Sequence, residues 1–559
     1  MTVHPFRARG LLTAALALTL AACGSTESSA PAADYAAESL APASGFMAPQ
    51  ATTDDEPPGT PYDREGYAPL EEVGFVTPQA ARFSTFSIDV DRASYANSRR
   101  MLLAEGRLPP AGAVRVEEFV NAFEYGLEAP EASGDAASRD HPFAVETEVA
   151  EAPWAPGHHL VRVAMQAQRV ETDDLPPLNL VFLLDTSGSM NSPDKLGLLK
   201  QGLRLLVDAM RPQDRVAIVA YAGSAGLVLP STGDRGEILD AMDRLQAGGS
   251  TAGGAGLRLA YATAREHFDP QASNRVVLAT DGDFNVGESS DAAMRRLIEE
   301  ERASGVTLSV LGFGRGNVQD SKMETLANHG NGNYAFIDSI REAEKVLVRE
   351  MGGTLVALAK DVKVQVEFNP AHVAAYRLIG YENRRLRAEE FNDDARDAGE
   401  LGAGHSVTAL YEVVPAGQPV PSGAGVDAPR YQATPEANGA SGGLAGELMT
   451  VKFRYKPATG PGTFSDQSVR LDRTVRVGDA PPVERASEAM RWAVAVTEGA
   501  LLLRETAYAP GASYDHALTL ARGARGQDPH GDRAEFVRLL ETARALTRAR
   551  GGEPQASAD

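Results

Sequence analysis

Three short polar turns carry the residues of this chain best suited to chemistry. Asp185-Thr186-Ser187-Gly188-Ser189 places a carboxylate and two hydroxyls in alternation after the apolar run Leu180-Val181-Phe182-Leu183-Leu184. Gly249-Ser250-Thr251 offers a further hydroxyl, and Thr280-Asp281-Gly282 a second carboxylate after Val276-Val277-Leu278-Ala279. None of the turns holds a strong base or a thiol, so small hard oxygens are what they present. Such a donor set suits a divalent cation better than nucleophilic catalysis. One such turn alone is ordinary turn and helix-cap composition. Three in succession imply an oxygen cage assembled from separate loops.

The elements that must hold these turns can be read from hydrophobic patterning. Between residues 177 and 352 the apolar runs are continuous: Leu180–Leu184, Val216–Tyr221, Val276–Ala279, Val306–Leu311 and Tyr334–Ile337. Amphipathic helices lie between most of them, one with Leu196, Leu199, Leu203, Leu206, Val207 and Met210 on a single face. Uninterrupted apolar strands alternating with helices predict an α/β fold, a doubly wound and mostly parallel sheet covered on both faces. Ligands of such sheets bind beyond the carboxyl ends of the strands, where the three turns fall.

On either side of this block the pattern becomes alternating, as in half-buried antiparallel strands. Phe143, Val145, Thr147 and Val149, then Val161, Val163 and Met165, precede it; Val362, Val364, Val366 and Phe368, and Met449, Val451, Phe453 and Tyr455, follow it. Two strands before the block are too few to stand alone. The expectation is therefore one β-rich domain, 79–176 with 353–480, into which the α/β domain 177–352 is inserted. Helices are expected at 91–105 and around Val116, Phe119, Val120 and Phe123. Three short amphipathic helices are expected across a C-terminal helical region, 481–550, before a disordered tail, 551–559.

Asp-x-Ser-x-Ser, a Gly-Gly-Ser-Thr turn opening a helix, and Thr-Asp-Gly together resemble the metal-ion-dependent adhesion site of von Willebrand factor type A (VWA) domains. Asp185, Ser187, Ser189, Thr251 and Asp281 each fall on a position of that motif. The resemblance implies Mg²⁺, with Mn²⁺ or Ca²⁺ as alternatives, ligated by the hydroxyls and partly through water by the carboxylates. It also implies one coordination position left for an acidic residue of a partner protein. Asp283 and Asn285, just beyond Asp281, could rim the metal or contact its ligands. Thr85-Phe86-Ser87-Ile88-Asp89-Val90-Asp91, Ala279 to Gly287, and Ala521-Arg522-Gly523-Ala524-Arg525-Gly526 look like segments of a bacterial family of VWA lipoproteins. That likeness covers nearly all of the chain beyond its first segment.

The N-terminus reads as a targeting segment. Arg7 and Arg9 precede the apolar run Leu11 to Ala22, which is shorter than the ~20 residues of a spanning helix. Leu20-Ala21-Ala22-Cys23 resembles the lipobox of bacterial lipoproteins, making 1–22 a signal peptide and Cys23 the lipid attachment site. Cys23 is the single cysteine, so no internal disulfide or thiolate zinc site is available. By the same resemblance, Gly24 points to the outer membrane or periplasmic face of the bacterial envelope. Residues 23–78, rich in Ala, Ser, Pro, Glu and Asp, read as a flexible tether.

A net charge of -22 over 559 residues argues against nucleic acid as a partner. Gly439-Ala440-Ser441-Gly442-Gly443 matches a nucleophile elbow in letters but sits in a Pro/Gly/Ala/Ser-rich stretch, not between strand and helix. No phosphate loop and no His-Glu-x-x-His pair occurs, and the ten histidines are scattered. These absences favour a binding protein over an enzyme; the alternatives are a structural envelope protein whose cation only stiffens the loops and, behind it, a hydrolase with its site in the flanking domains. Asp89-Val90-Asp91 with Ser94 could hold Ca²⁺, but helix N-capping by Asp91 or Ser94 is the expected use.

Overall fold

The computed structural model describes residues 65–88, 91–130, 141–171, 174–250, 253–282, 291–350, 356–396, 398–421, 446–460 and 463–551. Ahead of the central block come strands β1 (Phe83–Ser87), β2 (Phe143–Glu151) and β3 (His159–Ala167) and helices α1 (Ala93–Arg99) and α2 (Val116–Val120). The block follows with β4 (Leu178–Asp185), α3 (Leu198–Ala209), β5 (Arg215–Tyr221), β6 (Ala225–Thr232), α4 (Arg235–Arg244) and α5 (Gly253–Glu266). It continues through β7 (Ser273–Thr280), α6 (Asp291–Ala303), β8 (Thr307–Phe313), α7 (Asp320–His329), β9 (Tyr334–Ile337) and α8 (Ile340–Glu344).

These strands form one sheet in the order β6-β5-β4-β7-β8-β9. All neighbours are parallel except β6, which runs antiparallel to β5 at the edge. Leu180, Phe182 and Leu184 face α3, α4 and α8, while Val181 and Leu183 face α5, α6 and α7. Every residue of β4 is buried, because strands flank it on both sides and helices cover both faces. The mixed sheet and its helices are the predicted α/β fold. The edge strand β6 went unread in the sequence because its residues are mostly exposed or half-buried.

After the block come β10 (Ala357–Phe368), β11 (Val373–Ile379), β12 (Arg385–Leu386), β13 (Gly399–Gly402), β14 (Ser406–Pro415), β15 (Glu447–Gly460), β16 (Thr463–Phe464) and β17 (Val469–Arg476). A seven-stranded sheet takes β1 between β12 and β10; a four-stranded sheet runs β11-β14-β3-β2. Phe86, Val364, Val366 and Phe453 from the first share one core with Val163, Met165, Tyr376 and Tyr411 from the second. Strands from both sides of the block thus build a single sandwich, and the α/β domain is inserted in it.

The C-terminal helices α9 (Glu488–Leu503), α10 (Tyr514–Gly523) and α11 (Asp532–Gly551) complete the chain. α9 is buried almost throughout: its Trp492 meets Phe123 and Phe536 edge-on, and Tyr95 joins the same aromatic cluster. The N-terminal helices therefore pack with the C-terminal ones rather than in the sandwich core. Ala150, Leu160 and Leu410 present the other face of the four-stranded sheet to this layer.

Two expectations need correction. The tether was expected to extend to residue 78, but Phe75 is buried, Val76 bridges to Tyr376, and Glu65 pairs with Arg100. Asp91 and Ser94 do not cap α1, whose N-cap is Arg92. Asp91 instead accepts from the Tyr334 amide and from Arg384, and Ser94 donates to the Ala113 carbonyl. Cys23 and the signal peptide, Asp89, 439–443, and the tail from 552 lie outside the described residues.

Candidate metal centre

β4 and β7 are adjacent, so Asp185 at the end of one and Thr280 at the end of the other emerge side by side. Asp185 is wholly buried. Its Oδ1 accepts the Ser187 amide at 2.9 Å, which folds the turn back on itself. Its Oδ2 accepts the Tyr221 and Thr280 hydroxyls, each at 3.1 Å. Ser187 Oγ lies 3.0 Å from Ser189 Oγ, and Ser189 is exposed.

The second turn is clamped onto the first by backbone. Gly188 N–H donates to the Gly249 carbonyl at 3.0 Å, and Gly248 N–H to the Thr186 carbonyl at 2.8 Å. Gly249 has φ of +87°, a conformation an L side chain rarely adopts. Thr251, Asp283 and Asn285 lie outside the described residues.

Asp281, also wholly buried, supplies the third turn. The Ser189 hydroxyl acts on its carboxylate and lowers it, so the first turn faces the third. Gly282 follows with φ of +105°, and a Cβ there would sit 2.6 Å from the Gln319 amide. Only glycine allows this turn to close against the loop after β8.

Sequence reasoning missed the counter-charge. Lys195, from the wide helical turn Pro193–Gly197, donates to Asp281 Oδ2 and to Asn317 Oδ1, each at 2.9 Å. Its methylene stem fills the place of a side chain at Gly314, where a Cβ would lie 2.2 Å from Lys195 Cε. The available signal was a fourth polar turn after an apolar strand, Phe313-Gly314-Arg315-Gly316-Asn317. Burial would raise the Asp281 carboxyl, but the Lys195 charge and bonds from Ser189, Asn317 and Lys195 hold it below the usual range. Burial wins at Asp185, which is pushed up, with the Asp281 charge adding to the effect against the Ser187 and Tyr221 bonds.

The described part of this set is two carboxylates and two hydroxyls, all hard oxygens. It fits Mg²⁺, Mn²⁺ or Ca²⁺ and offers nothing to a soft metal. The ammonium bonded to Asp281 marks the positive charge such a pocket requires.

An inserted, mostly parallel sheet with these turns at the carboxyl ends of β4 and β7 defines a VWA-type module. A family model described as von Willebrand factor type A domain matches residues 180–284, and one described as von Willebrand factor matches 61–162. The latter stretch supplies α1, α2 and strands of the sandwich rather than a second parallel sheet. A third, described as Uncharacterized protein YfbK, C-terminal, matches 353–546. The chain is 44% identical over 466 residues to Uncharacterized protein YfbK of Escherichia coli (strain K12), covering 83% of this chain and 78% of that protein. It is 30% identical over 185 residues to Uncharacterized protein sll0103 of a Synechocystis species, covering 33% of this chain and 43% of that one. A solved structure, von Willebrand factor type A from Catenulispora acidiphila, is 19% identical with a TM-score of 0.37, covering 74% of this chain and 91% of that chain. The chain belongs to the YfbK family of bacterial VWA-domain proteins. VWA domains commonly bind a divalent metal.

Proposed function

We propose that this protein is a lipid-anchored, divalent-cation-dependent binding module of the bacterial cell envelope, not an enzyme. Mg²⁺ is held by Ser187, Ser189 and Thr251, with Asp185 and Asp281 bonded directly or through ordered water. A carboxylate from a partner protein completes the shell, joining two acidic surfaces that otherwise repel. The reading rests on one observation: Asp185 and Asp281, both wholly buried, stand at the carboxyl ends of adjacent parallel strands beside the Ser187–Ser189 hydroxyl pair and its exposed rim. Lipidation at Cys23 tethers the body; no described helix is long and apolar enough to cross a membrane.

Calorimetric titration of Mg²⁺ into the full chain carrying Cys23→Ser tests the metal. Saturable heat in that chain, lost in Asp185→Ala, is expected; equal heats in both remove the proposal. Crosslinking in intact cells with and without chelator then tests the partner, whose capture is expected to vanish without the cation.

Lys195 favours a second reading. Its ammonium already neutralises Asp281, so the loops can be held without a metal and the domain can serve a structural role in the envelope. Capture that persists in chelator supports this alternative.

A further inference from the structure

On the sheet face beneath α3 and α8, toward the amino ends of the strands and so away from the candidate metal centre, lies a cavity of about 80 Å³. Leu180 and Phe182 of β4, Val277 of β7, Leu311 of β8, Leu206 of α3 and Leu347 form its apolar wall. Set into that wall is Arg275, at the start of β7 and only 5% exposed. Its Nη1 donates to Ser309 Oγ at 2.6 Å, and its Nε has no partner among the described residues.

The other buried arginines show how unusual this is. Arg99, Arg100, Arg115, Arg162, Arg377, Arg504 and Arg533 each lie within ion-pair distance of a carboxylate. Arg275 alone among them has no such partner within the described residues. The acids bordering the cavity are committed elsewhere: Glu350 pairs with Arg92, and Asp91 with Arg384. Glu400 acts on Arg275 only through its field. Burial pushes the guanidinium down to about 10, against the pull of Glu400, so it stays charged at neutral pH.

A buried, uncompensated cation is strongly unfavourable unless a counter-ion arrives. The unused Nε edge of a guanidinium suits a planar carboxylate, which it can bind through two parallel hydrogen bonds. The wall of Leu180, Phe182, Leu206, Val277, Leu311 and Leu347 admits only apolar atoms, while Arg92, Asn333 and His405 join Arg275 at the polar border. We propose that this cavity binds a small monocarboxylate with an apolar body, its head on Arg275 and its tail against Phe182, Leu206 and Leu347. A buried water needs about 10–15 Å³ on the same scale, so the space of about 80 Å³ holds an acid of roughly five to eight heavy atoms.

The site is independent of the cation-binding proposal, and its test runs in EDTA. Hexanoate is titrated into the full chain carrying Cys23→Ser, with binding followed by ligand-observed NMR. Saturable binding is expected, at least tenfold weaker in Arg275→Met and undetectable for hexylammonium. Arg275→Met should also raise the melting temperature without ligand, because an unpaired buried charge has gone. Should that variant fail to fold, Leu206→Phe, which fills the cavity while keeping the charge, must weaken hexanoate equally. No saturable binding to the native chain, equal binding by Arg275→Met, or tighter binding of dodecanoate than of hexanoate overturns the assignment.

Discussion

Two groups of buried acids in this molecule look alike in a list of residues and behave differently in space. At the carboxyl ends of β4 and β7, Asp185 and Asp281 share one pocket with two serine hydroxyls and one lysine. Where the inserted domain meets the flanking one, Asp91, Glu118 and Glu324 bring carboxylate oxygens within 4.8 Å of one another. Arg384 bonds Asp91 at 2.9 Å and Glu324 at 3.0 Å, while Arg115 holds Glu118 and also bonds Asp320 at 2.5 Å. Backbone amides of Tyr334 and Ser94 take further oxygens of Asp91 and Glu118. That trio is buried and neutralised by two guanidiniums, so it fastens one domain to the other. The first group has a single ammonium, neutral hydroxyls and an exposed rim at Ser189. Proximity of carboxylates therefore does not define a metal centre; a deficit of positive charge, hydroxyl donors and access do.

The comparison breaks most visibly at Arg115. Arg115→Met leaves Asp320 and Glu118 buried without their guanidinium, which should destabilise the chain by about 3–5 kcal/mol. Urea unfolding measures the loss, and Mg²⁺ should restore none of it. Recovery with Mg²⁺ would make the domain junction a metal centre and reverse the distinction.

Glu117, next to this network, sharpens it through pH. Burial and then the charges of Glu382 and Glu118 push its carboxyl up to about 7 from 4.5, and Oε2 has no partner among the described residues. Between those pH values the native state holds a proton that the unfolded chain has released. Its contribution to stability is therefore complete below about pH 4.5 and disappears as pH rises through 7. Glu117→Gln should remove up to about 3 kcal/mol of that dependence, read as the difference between urea midpoints at pH 4.5 and pH 8. An unchanged slope would show that Glu117 is ionised in the fold.

How much of this was legible in the sequence follows from what each residue needs. Leu180 to Leu184 announced a central strand, because burial on both faces forbids polar residues there. Asp185, Ser187, Ser189 and Asp281 were visible because ends of parallel strands gather at one edge, whatever the loops do next. Lys195 was not: at the start of a helix it reads as a solvated cation, and its burial depends on Gly314, which the chain reaches more than a hundred residues later. β11 escaped for a similar reason. Arg377 interrupts its apolar pattern and is tolerated only because Glu412 of the neighbouring strand pairs with it. Likewise nothing local in Tyr95 or Phe123 states that their partners are Trp492 and Phe536.

Lys195 gives the next test, at the metal side of the comparison. If its ammonium stands in for a cation, Lys195→Met should bind Mg²⁺ about tenfold more tightly, roughly 1.4 kcal/mol, since one nearby positive charge has been removed. Calorimetry beside the native chain reads this directly. Unchanged or weaker binding would mean that Lys195 holds the Asp281 turn in place rather than competing for it.

The smallest effect belongs to an acid–base pair of which only the histidine reaches water. His516 bonds Glu498 at 2.7 Å at the start of α10, with 29% of its side chain exposed. That hydrogen bond, against partial burial, raises the imidazole above 6.5. The stabilisation is complete below about pH 6.5 and is lost as pH rises through the higher native value. Water reaches the imidazole, the Ser513 amide already donates to Glu498, and a glutamine amide can still do so. His516→Gln should therefore cost less than about 1 kcal/mol at pH 6 and still less at pH 9. Thermal melts across that range measure it. A loss as large as that expected for Arg115→Met would show that charge pairing governs this fold regardless of burial, and the contrast between the two acidic groups would then need another cause.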